Sequence, residues 1–414
     1  MSSQVPARHV RGSIPPREAQ TSLAVVDEAP PPAEAVAPSQ LIEQQDILSF
    51  ENLWNIALDA LKIAPPLWAS SIFGLPWTWL PPFQRYSEFR IADMWRPLRT
   101  LKYLLNVSVP SIPRNPPEIV PPLLETFFYE PTVILQRPDH DGSYTSYPQE
   151  KWFFINGILT NDDVAQLNAA FLSDLFHRPV TLIQNSTCGL VQDLVECALG
   201  KQWQRTTESV KRAFPAIHAA LKSEKEKVVI IAHSQGTIIT SVVLHLLEAI
   251  TQPASAPPEA LAFGAPLRYA EPVFVFPEEY DLEPKDFAPL SEDELAKLEI
   301  YCFANCANTM KYLHPDRAVP WIESFGNEFD IVARLGMLAP RSYDWHIEIN
   351  GPRYVQPRAW GHFLNAHYLV NLERQQRVRN RPGGKGTAAP YELLNAEQFP
   401  NHTPRLFNYI NGGT

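Results

Sequence analysis

From about Thr132 onward, the hydrophobic positions of the chain fall into two kinds of pattern that follow one another. Short apolar runs, as in KWFFIN (151–156) and KVVIIAHS (227–234), predict buried strands. Longer stretches carry apolar residues at helical spacing, as in DDVAQLNAAFLSDLFHR (162–178) and QGTIITSVVLHLLEAI (235–250). Strands that alternate with helices predict an α/β protein, with a mainly parallel sheet and helices on both of its faces.

The alternation continues along the chain with less regularity. The stretch VKRAFPAIHAALKS (210–223) predicts a helix in spite of Pro215. Ser291 and Glu294 form the capping-box pattern that begins a helix in SEDELAKL. The remaining predicted elements are strands at 179–186, 299–305 and 319–326 and helices at 189–199 and near 363–376.

These patterns divide the chain into four parts. Residues 1–40 contain seven prolines and almost no large apolar residues, which predicts a disordered tail. From residue 41 onward, aromatic and aliphatic residues occur at helical spacing, so we expect residues 41–130 to form an N-terminal helical and aromatic cap segment. Residues 131–375 predict the α/β domain, with a proline-rich, acidic insertion at about 251–290, and residues 376–414 predict a C-terminal linker and tail.

The N-terminal cap contains IAPPLWASSIFGLPWTWLPPF (63–83), which has no charge over 21 residues. Its five prolines exclude an unbroken helix across a membrane. Trp68, Trp77 and Trp79 favour either a peripheral membrane contact or a cap that packs on the main domain. Both interpretations stay open, and a lid beside an active site would satisfy both.

Composition narrows the function classes. The net charge is −10 at pH 7 and no basic stripe is interleaved with aromatic residues, so we exclude nucleic-acid binding. A polar, proline-broken N-terminus lacks the pattern of a secretory signal, so we expect a cytoplasmic location, with a mitochondrial transit peptide as the alternative. A low cysteine count without zinc spacing also favours a reducing compartment; the four are Cys188, Cys197, Cys302 and Cys306.

Ser234 lies between a predicted strand and a predicted helix with almost no loop. Such a turn strains the backbone and lifts the serine hydroxyl above the carboxyl edge of the sheet, where the free N–H groups of the helix N-terminus also point. The backbone N–H of Gln235 is therefore a candidate oxyanion donor. Ala232 and Gly236 are small residues two places to either side, as the close approach of strand and helix requires.

The pentapeptide AHSQG (232–236) resembles the G-x-S-x-G nucleophile elbow of the α/β-hydrolase superfamily, with alanine in place of the first glycine. The resemblance covers about residues 130–375 and implies the α/β-hydrolase fold. It also implies a serine nucleophile whose acid and histidine follow it in the chain. The segment NEFDIVARL (327–335) is similar to the acid segment of the class 3 lipases, which implies that Asp330 is the acid.

Alternatives exist for both partners of the serine. Glu328 and Asp344 compete with Asp330, whose other interpretation is the cap of a helix that starts at Ile331. His362 lies in the loop before the last predicted helix, where the superfamily has its base, whereas His367 lies inside that helix. We predict His362 as the base; the other histidines after Asp330 are His346, His367 and His402.

The second oxyanion donor is expected in the loop after the strand KWFFIN. Asn156–Gly157 is similar to the His-Gly pair of many lipases, with asparagine replacing histidine. The resemblance implies that Ile158 carries the donor N–H, with Gly157 as the alternative.

The sequence therefore predicts a serine hydrolase that cleaves a carboxylic ester through an acyl-enzyme. The uncharged aromatic cap favours an apolar or lipid acyl substrate, and we expect no metal or organic cofactor. Two alternatives stay open. One is a thioesterase, protein deacylase or peptidase that uses the same three residues, and the other is a catalytically silent hydrolase fold that acts in binding.

Overall fold

The computed structural model describes Tyr86, Glu88 and residues 133–137, 144–157, 160, 162–185, 208–251, 286–312, 320–339, 347–373 and 391–414. The predicted disordered tail (1–40), the tryptophan-rich segment (63–83), the helix at 189–199 and most of the insertion (252–285) lie outside these residues. So do Ile158, Asp344 and His346.

The described strands are β1 (Val133–Arg137), β2 (Glu150–Ile155), β3 (Val180–Gln184), β4 (Lys227–His233), β5 (Leu298–Phe303), β6 (Thr309–Met310), β7 (Trp321–Phe329), β8 (Glu348–Ile349), β9 (Arg353–Trp360) and β10 (Glu392–Leu393). The described helices are α1 (Asp162–Phe176), α2 (Glu208–Lys222), α3 (Gln235–Ala249), α4 (Glu292–Ala296), α5 (Ile331–Arg334), the π-helix α6 (Leu364–Leu369) and the 3₁₀ helix α7 (Arg405–Gly412).

Eight of these strands form one sheet in the order β1-β3-β2-β4-β5-β7-β9-β10. The six inner strands pair in parallel, and β1 and β10 are antiparallel to their neighbours at the two edges. The predicted α/β protein with a mainly parallel sheet is therefore confirmed. Because β3 and β4 lie on opposite sides of β2, the strand order reverses between β2 and β4. In open α/β sheets, ligands commonly bind at such a reversal, beyond the carboxyl ends of the strands.

The central strand β4 explains why helices cover both faces. Its side chains alternate between two hydrophobic clusters, since Val228 and Ile230 pack with α2 and α3, whereas Val229 and Ile231 pack with α1 and the C-terminal residues. All six residues from Val228 to His233 are buried. A continuous apolar strand of this kind is stable only when both of its faces are covered.

Several local predictions are confirmed. Helix α2 spans Pro215, and α3 begins at Gln235, directly after Ser234. At α4, Ser291 accepts from the Glu294 N–H and the Glu294 side chain accepts from the Ser291 N–H, so the capping box is complete. Among the described residues, no helix combines the length and the apolar character needed to cross a bilayer.

The predicted C-terminal linker and tail (376–414) is wrong for residues 391–414. β10 extends the sheet beside β9, and Leu406, Phe407 and Tyr409 are buried in the core. The Glu323 carboxylate accepts from the backbone N–H groups of Arg405 and Leu406, so a buried charge of the sheet caps α7. The α/β domain therefore includes the C-terminal residues and does not end at residue 375.

Candidate active site

Ser234 forms the whole connection between β4 and α3. Its φ of 57° and ψ of −128° lie in a region that non-glycine residues rarely adopt, at a typical cost of about 1–3 kcal/mol. Its N–H donates to Phe303 O on β5 at 2.9 Å, and its carbonyl accepts from the Thr237 N–H and hydroxyl. Bonds on both sides thus hold the strained residue at the carboxyl edge of the sheet.

Glycine at position 236 is required by the neighbouring strand. A Cβ on this residue would lie 2.3 Å from the Ile155 carbonyl oxygen at the end of β2. The first turn of α3 therefore packs directly against the end of β2. The sequence predicted a need for a small residue here, and the tertiary contact with β2 explains that need.

His362 links Ser234 to Asp330. The His362 Nε2 lies 2.9 Å from the Ser234 Oγ, and its Nδ1 lies 2.9 Å from Asp330 Oδ2 and 3.1 Å from Oδ1. Because an ionised carboxylate only accepts, Nδ1 carries the proton that it donates to Asp330. In the neutral ring, Nε2 is then left to accept the hydrogen of the serine hydroxyl.

Asp330 makes the contacts that both of its predicted roles require. Its Oδ1 accepts from the Val332 N–H at 2.8 Å and caps α5, while its carboxylate also holds His362. The Tyr368 hydroxyl donates to its Oδ2 at 2.6 Å. Burial acts to raise the pKa of Asp330, but the His362 charge and these hydrogen bonds bring it below its ordinary value. Asp330 is therefore an ionised, fully buried carboxylate.

The same carboxylate sets the basicity of the imidazole. Burial acts to lower the pKa of His362, but the charge and hydrogen bond of Asp330 raise it above its ordinary value. A histidine of this kind accepts a proton readily and holds it while a neighbouring oxygen carries negative charge. Ser234, which lies at its other nitrogen, is completely buried.

Two further histidines hold the loop that carries His362. His233 Nε2 lies 2.8 Å from the His362 carbonyl oxygen, to which it must donate. His367 Nδ1 accepts from the Phe363 N–H at 3.0 Å. Burial lowers the pKa of His233 to about 3 and that of His367 to about 4, so both rings are neutral.

Gly361 brings the His362 loop over the His367 ring. Its φ is 86°, and a Cβ at this position would lie 2.4 Å from the His367 Nδ1. A side chain here would both strain the backbone and displace the ring. The predicted alternative base, His367, therefore lies beneath the loop that carries His362.

The first-turn N–H of Gln235 has no acceptor within its own helix, as in every helix N-terminus. The Gln235 side chain makes a separate hydrogen bond, in which its Oε1 accepts from Asn185 Nδ2 at 2.6 Å. Ile158, the other predicted donor, lies outside the described residues. The alternative, Gly157, is described and lies directly beside Ser234.

A buried amide network supports the loops at this edge, and sequence reasoning missed most of it. Asn156 Nδ2 donates to Gly157 O at 3.0 Å and to Asn185 O at 2.9 Å, and Asn185 N–H donates to Asn156 Oδ1. Ser209 donates to Asn185 Oδ1. The signal was available, because Asn156 and Asn185 each follow directly after a buried strand.

The other candidates among the described residues have different partners. Glu328 accepts from the Arg358 N–H at 2.7 Å, and His402 bonds to the Tyr354 hydroxyl. In the described part of the chain, no group of three or more His, Cys, Asp or Glu side chains is arranged to hold a metal ion.

Comparison with family models and curated sequences adds no relative. No family model matches the chain, and no curated protein sequence matches it. The function of this protein is therefore inferred from its mainly parallel sheet and from the geometry of Ser234, His362 and Asp330.

Proposed function

We propose that this chain is a serine hydrolase of the α/β-hydrolase class, which cleaves carboxylic esters with an apolar or lipid acyl group. One observation carries the proposal: an unbroken chain of hydrogen bonds runs from the Ser234 hydroxyl through His362 to the buried Asp330 carboxylate. This is the arrangement by which a weakly nucleophilic hydroxyl is activated. The strained backbone of Ser234 at the carboxyl end of β4 supports the same class.

In the proposed mechanism, Ser234 Oγ attacks the carbonyl carbon of the ester as its proton passes to His362 Nε2. Asp330 stabilises the imidazolium that forms. When the tetrahedral intermediate collapses, the bond to the alcohol breaks and His362 returns the proton to the leaving oxygen. Water then attacks the acyl-enzyme with His362 as base, which releases the carboxylic acid and restores the serine.

The negative oxygen of the intermediate requires donors. We propose the backbone N–H groups of Gln235 and Ile158 for this role, each worth about 3 kcal/mol of barrier in comparable enzymes. The amide network of Asn156 and Asn185 supports the proposal, since it ties the first turn of α3 to the loop after β2. Both loops must stay fixed if the donors are to meet one oxygen.

We also propose that the protein acts in the cytoplasm, with peripheral membrane contact through residues 63–83. The low cysteine content and the three tryptophans of that uncharged segment support this location. Flotation with liposomes tests the contact, because deletion of 63–83 should abolish it. Equal flotation of the two proteins, or none with the full chain, would exclude it.

The proposed activity is tested with a fluorescent fluorophosphonate, which labels an activated serine covalently. We expect labelling of the full chain and none of Ser234→Ala. Ser291→Ala is the matched control, since it removes a serine that only caps α4, and it should label normally. Labelling that survives in Ser234→Ala would exclude Ser234 as the nucleophile.

A panel of esters, thioesters and peptides on the labelled protein then separates ester hydrolysis from the thioesterase, deacylase and peptidase alternatives. Preference for esters with longer acyl chains would support the proposed substrate class. Absence of labelling in water, in detergent and with liposomes would favour the silent, binding protein instead.

A further inference from the structure

Glu88 lies 277 residues before Asn365 in the chain and yet contacts it directly. Its Oε1 accepts from the Asn365 N–H at 2.6 Å, and its Oε2 accepts from the Ala366 N–H at 3.0 Å. The side chain is almost fully buried, with 3% of the residue exposed. A carboxylate from the N-terminal segment therefore caps α6, the helix that follows His362.

Helix α6 depends on this distant cap. Its own N-cap residue, Phe363, offers no side-chain hydrogen bond, and the first N–H groups of any helix have no acceptor within the helix. His362 directly precedes Phe363, so the position of the first turn of α6 determines the position of the imidazole. A loose first turn would move the His362 ring away from Ser234.

Tyr86 contacts α6 and α1 independently of Glu88. Its carbonyl accepts from Asn365 Nδ2 at 2.8 Å, and its hydroxyl donates to Asp174 at 3.0 Å. Its ring stacks on Phe171 of α1, with centroids 4.8 Å apart. Two residues of the N-terminal segment are thus held against α1 and α6.

Charge links Glu88 to the imidazole as well. The ionised carboxylate attracts the protonated form of His362, in the same sense as Asp330 does. Burial raises the pKa of Glu88 to about 7 against the effect of its two N–H donors. Among the described residues, the titratable groups that interact with the charge of His362 include Asp330, Cys306, Glu88, His233 and His367.

We propose that Glu88 is a positioning residue for His362, an inference that rests on the proposed hydrolase function. Its carboxylate holds the first turn of α6 and, when ionised, adds a second negative charge that acts on the imidazole in the same sense as that of Asp330. Tyr86 and Glu88, the two described residues of the N-terminal segment, thereby support the reactive site. The base reaches full strength and correct position only when Glu88 caps α6.

The experiment compares the full chain with Glu88→Gln. Gln keeps the shape of the side chain but loses its charge. Its NH₂ group is a donor and cannot accept from the second of the two N–H groups. At the alkaline plateau we expect fluorophosphonate labelling to slow by roughly tenfold, because small displacements of a reactive group are costly. The acid limb of the rate profile should move to lower pH, because the pKa of His362 falls with the charge. A purely structural role would not move that limb.

Glu323→Gln is the matched control. Glu323 also caps a helix with a buried carboxylate, but it lies seven strand residues before Asp330, about 20 Å away at the usual rise. This variant should change the stability of the protein without any shift of the acid limb. A shift of equal size in both variants would overturn the specific link between Glu88 and His362.

A titration of His362 by NMR, with ¹³C in the histidine rings and assignment from His362→Gln, needs no activity. We expect a lower pKa of His362 in Glu88→Gln and an unchanged one in Glu323→Gln. If the full chain is not labelled, the hydrolase proposal fails while this titration still decides the role of Glu88. An unchanged His362 pKa together with an unchanged labelling plateau would overturn the inference.

Glu88→Asp covers the case in which Glu88→Gln does not fold. It keeps the charge but is too short to reach both N–H groups. We expect its acid limb to stay close to that of the full chain while its plateau falls. An unchanged plateau in this variant would remove the positioning role.

Discussion

A Cβ atom on residue 157 would lie 2.3 Å from the Cβ of Ser234 and 3.0 Å from its hydroxyl oxygen. Gly157 and Ser234 thus belong to two loops that touch, the one after β2 and the one after β4. Real Cβ atoms do not approach so closely, so only glycine allows this contact. The backbone of the loop after β2, which carries the proposed oxyanion donor, is therefore in direct contact with the proposed nucleophile.

Gly157→Ala should displace Ser234 or the loop after β2. We expect the rate of fluorophosphonate labelling to fall by about 100-fold, because a shift of about 1 Å at a reacting group has an effect of that size. Gly326→Ala is the control, since its Cβ would meet only the flexible side chains of Leu338 and Met337. Equal labelling in both variants would show that the contact has no bearing on reactivity.

His362→Ala should remove the base and reduce turnover by about 10⁴-fold or more, as in other serine enzymes of this kind. His367→Ala should have a smaller effect, because its neutral ring supports the loop, accepting from the Phe363 N–H, and does not take the place of His362 between Ser234 and Asp330. His402→Ala, which alters a contact with Tyr354, serves as the control and should leave turnover unchanged. Ester hydrolysis measures all three, and equal losses in the first two would contradict the assigned roles.

The pH profile should follow the state of His362. Only the neutral imidazole accepts the serine proton, and Asp330 raises its pKa above 6.5, so the labelling rate should rise through a midpoint above pH 6.5. Asp330→Asn removes the charge that raises this pKa, so the limb should move to lower pH while the plateau falls. Glu328→Gln, two residues away and bonded to Arg358, should leave the limb in place. A limb that does not move in Asp330→Asn would contradict this scheme.

Glu323 should make stability dependent on pH. Burial raises its pKa from 4.5 to about 7, against the N–H groups of Arg405 and Leu406, so between these values the folded state binds more protons than the unfolded state. Its contribution to the free energy of unfolding is full below about pH 4.5 and is lost as the pH rises through about 7. In urea unfolding, the free energy of unfolding of Glu323→Gln should therefore rise relative to that of the parent chain as the pH increases from 5 to 8. A constant difference between the two proteins would contradict the raised pKa.

The local elements were predictable because their signals are contiguous. The strand before Ser234, the helix after it and the capping box of Ser291 each depend on residues a few places apart. Strand β9 gave no comparable signal, since RYVQPRAW contains a proline and several polar residues. It becomes a strand through its pairing with β7. The C-terminal residues were mistaken for a tail because their partner, the buried Glu323, lies about 80 residues earlier.

By itself the sequence determined the α/β alternation, the turn that strains Ser234 and the short set of acids and histidines able to serve it. Those features follow from hydrophobic periodicity and from turn chemistry, which act over a few residues. Only the tertiary structure decided that His362 meets Ser234 across 128 residues, and that Glu88 caps the helix behind it. Such contacts depend on which strand ends share one edge of the sheet, because buried N–H groups and carboxylates must find partners wherever the packed chain brings them.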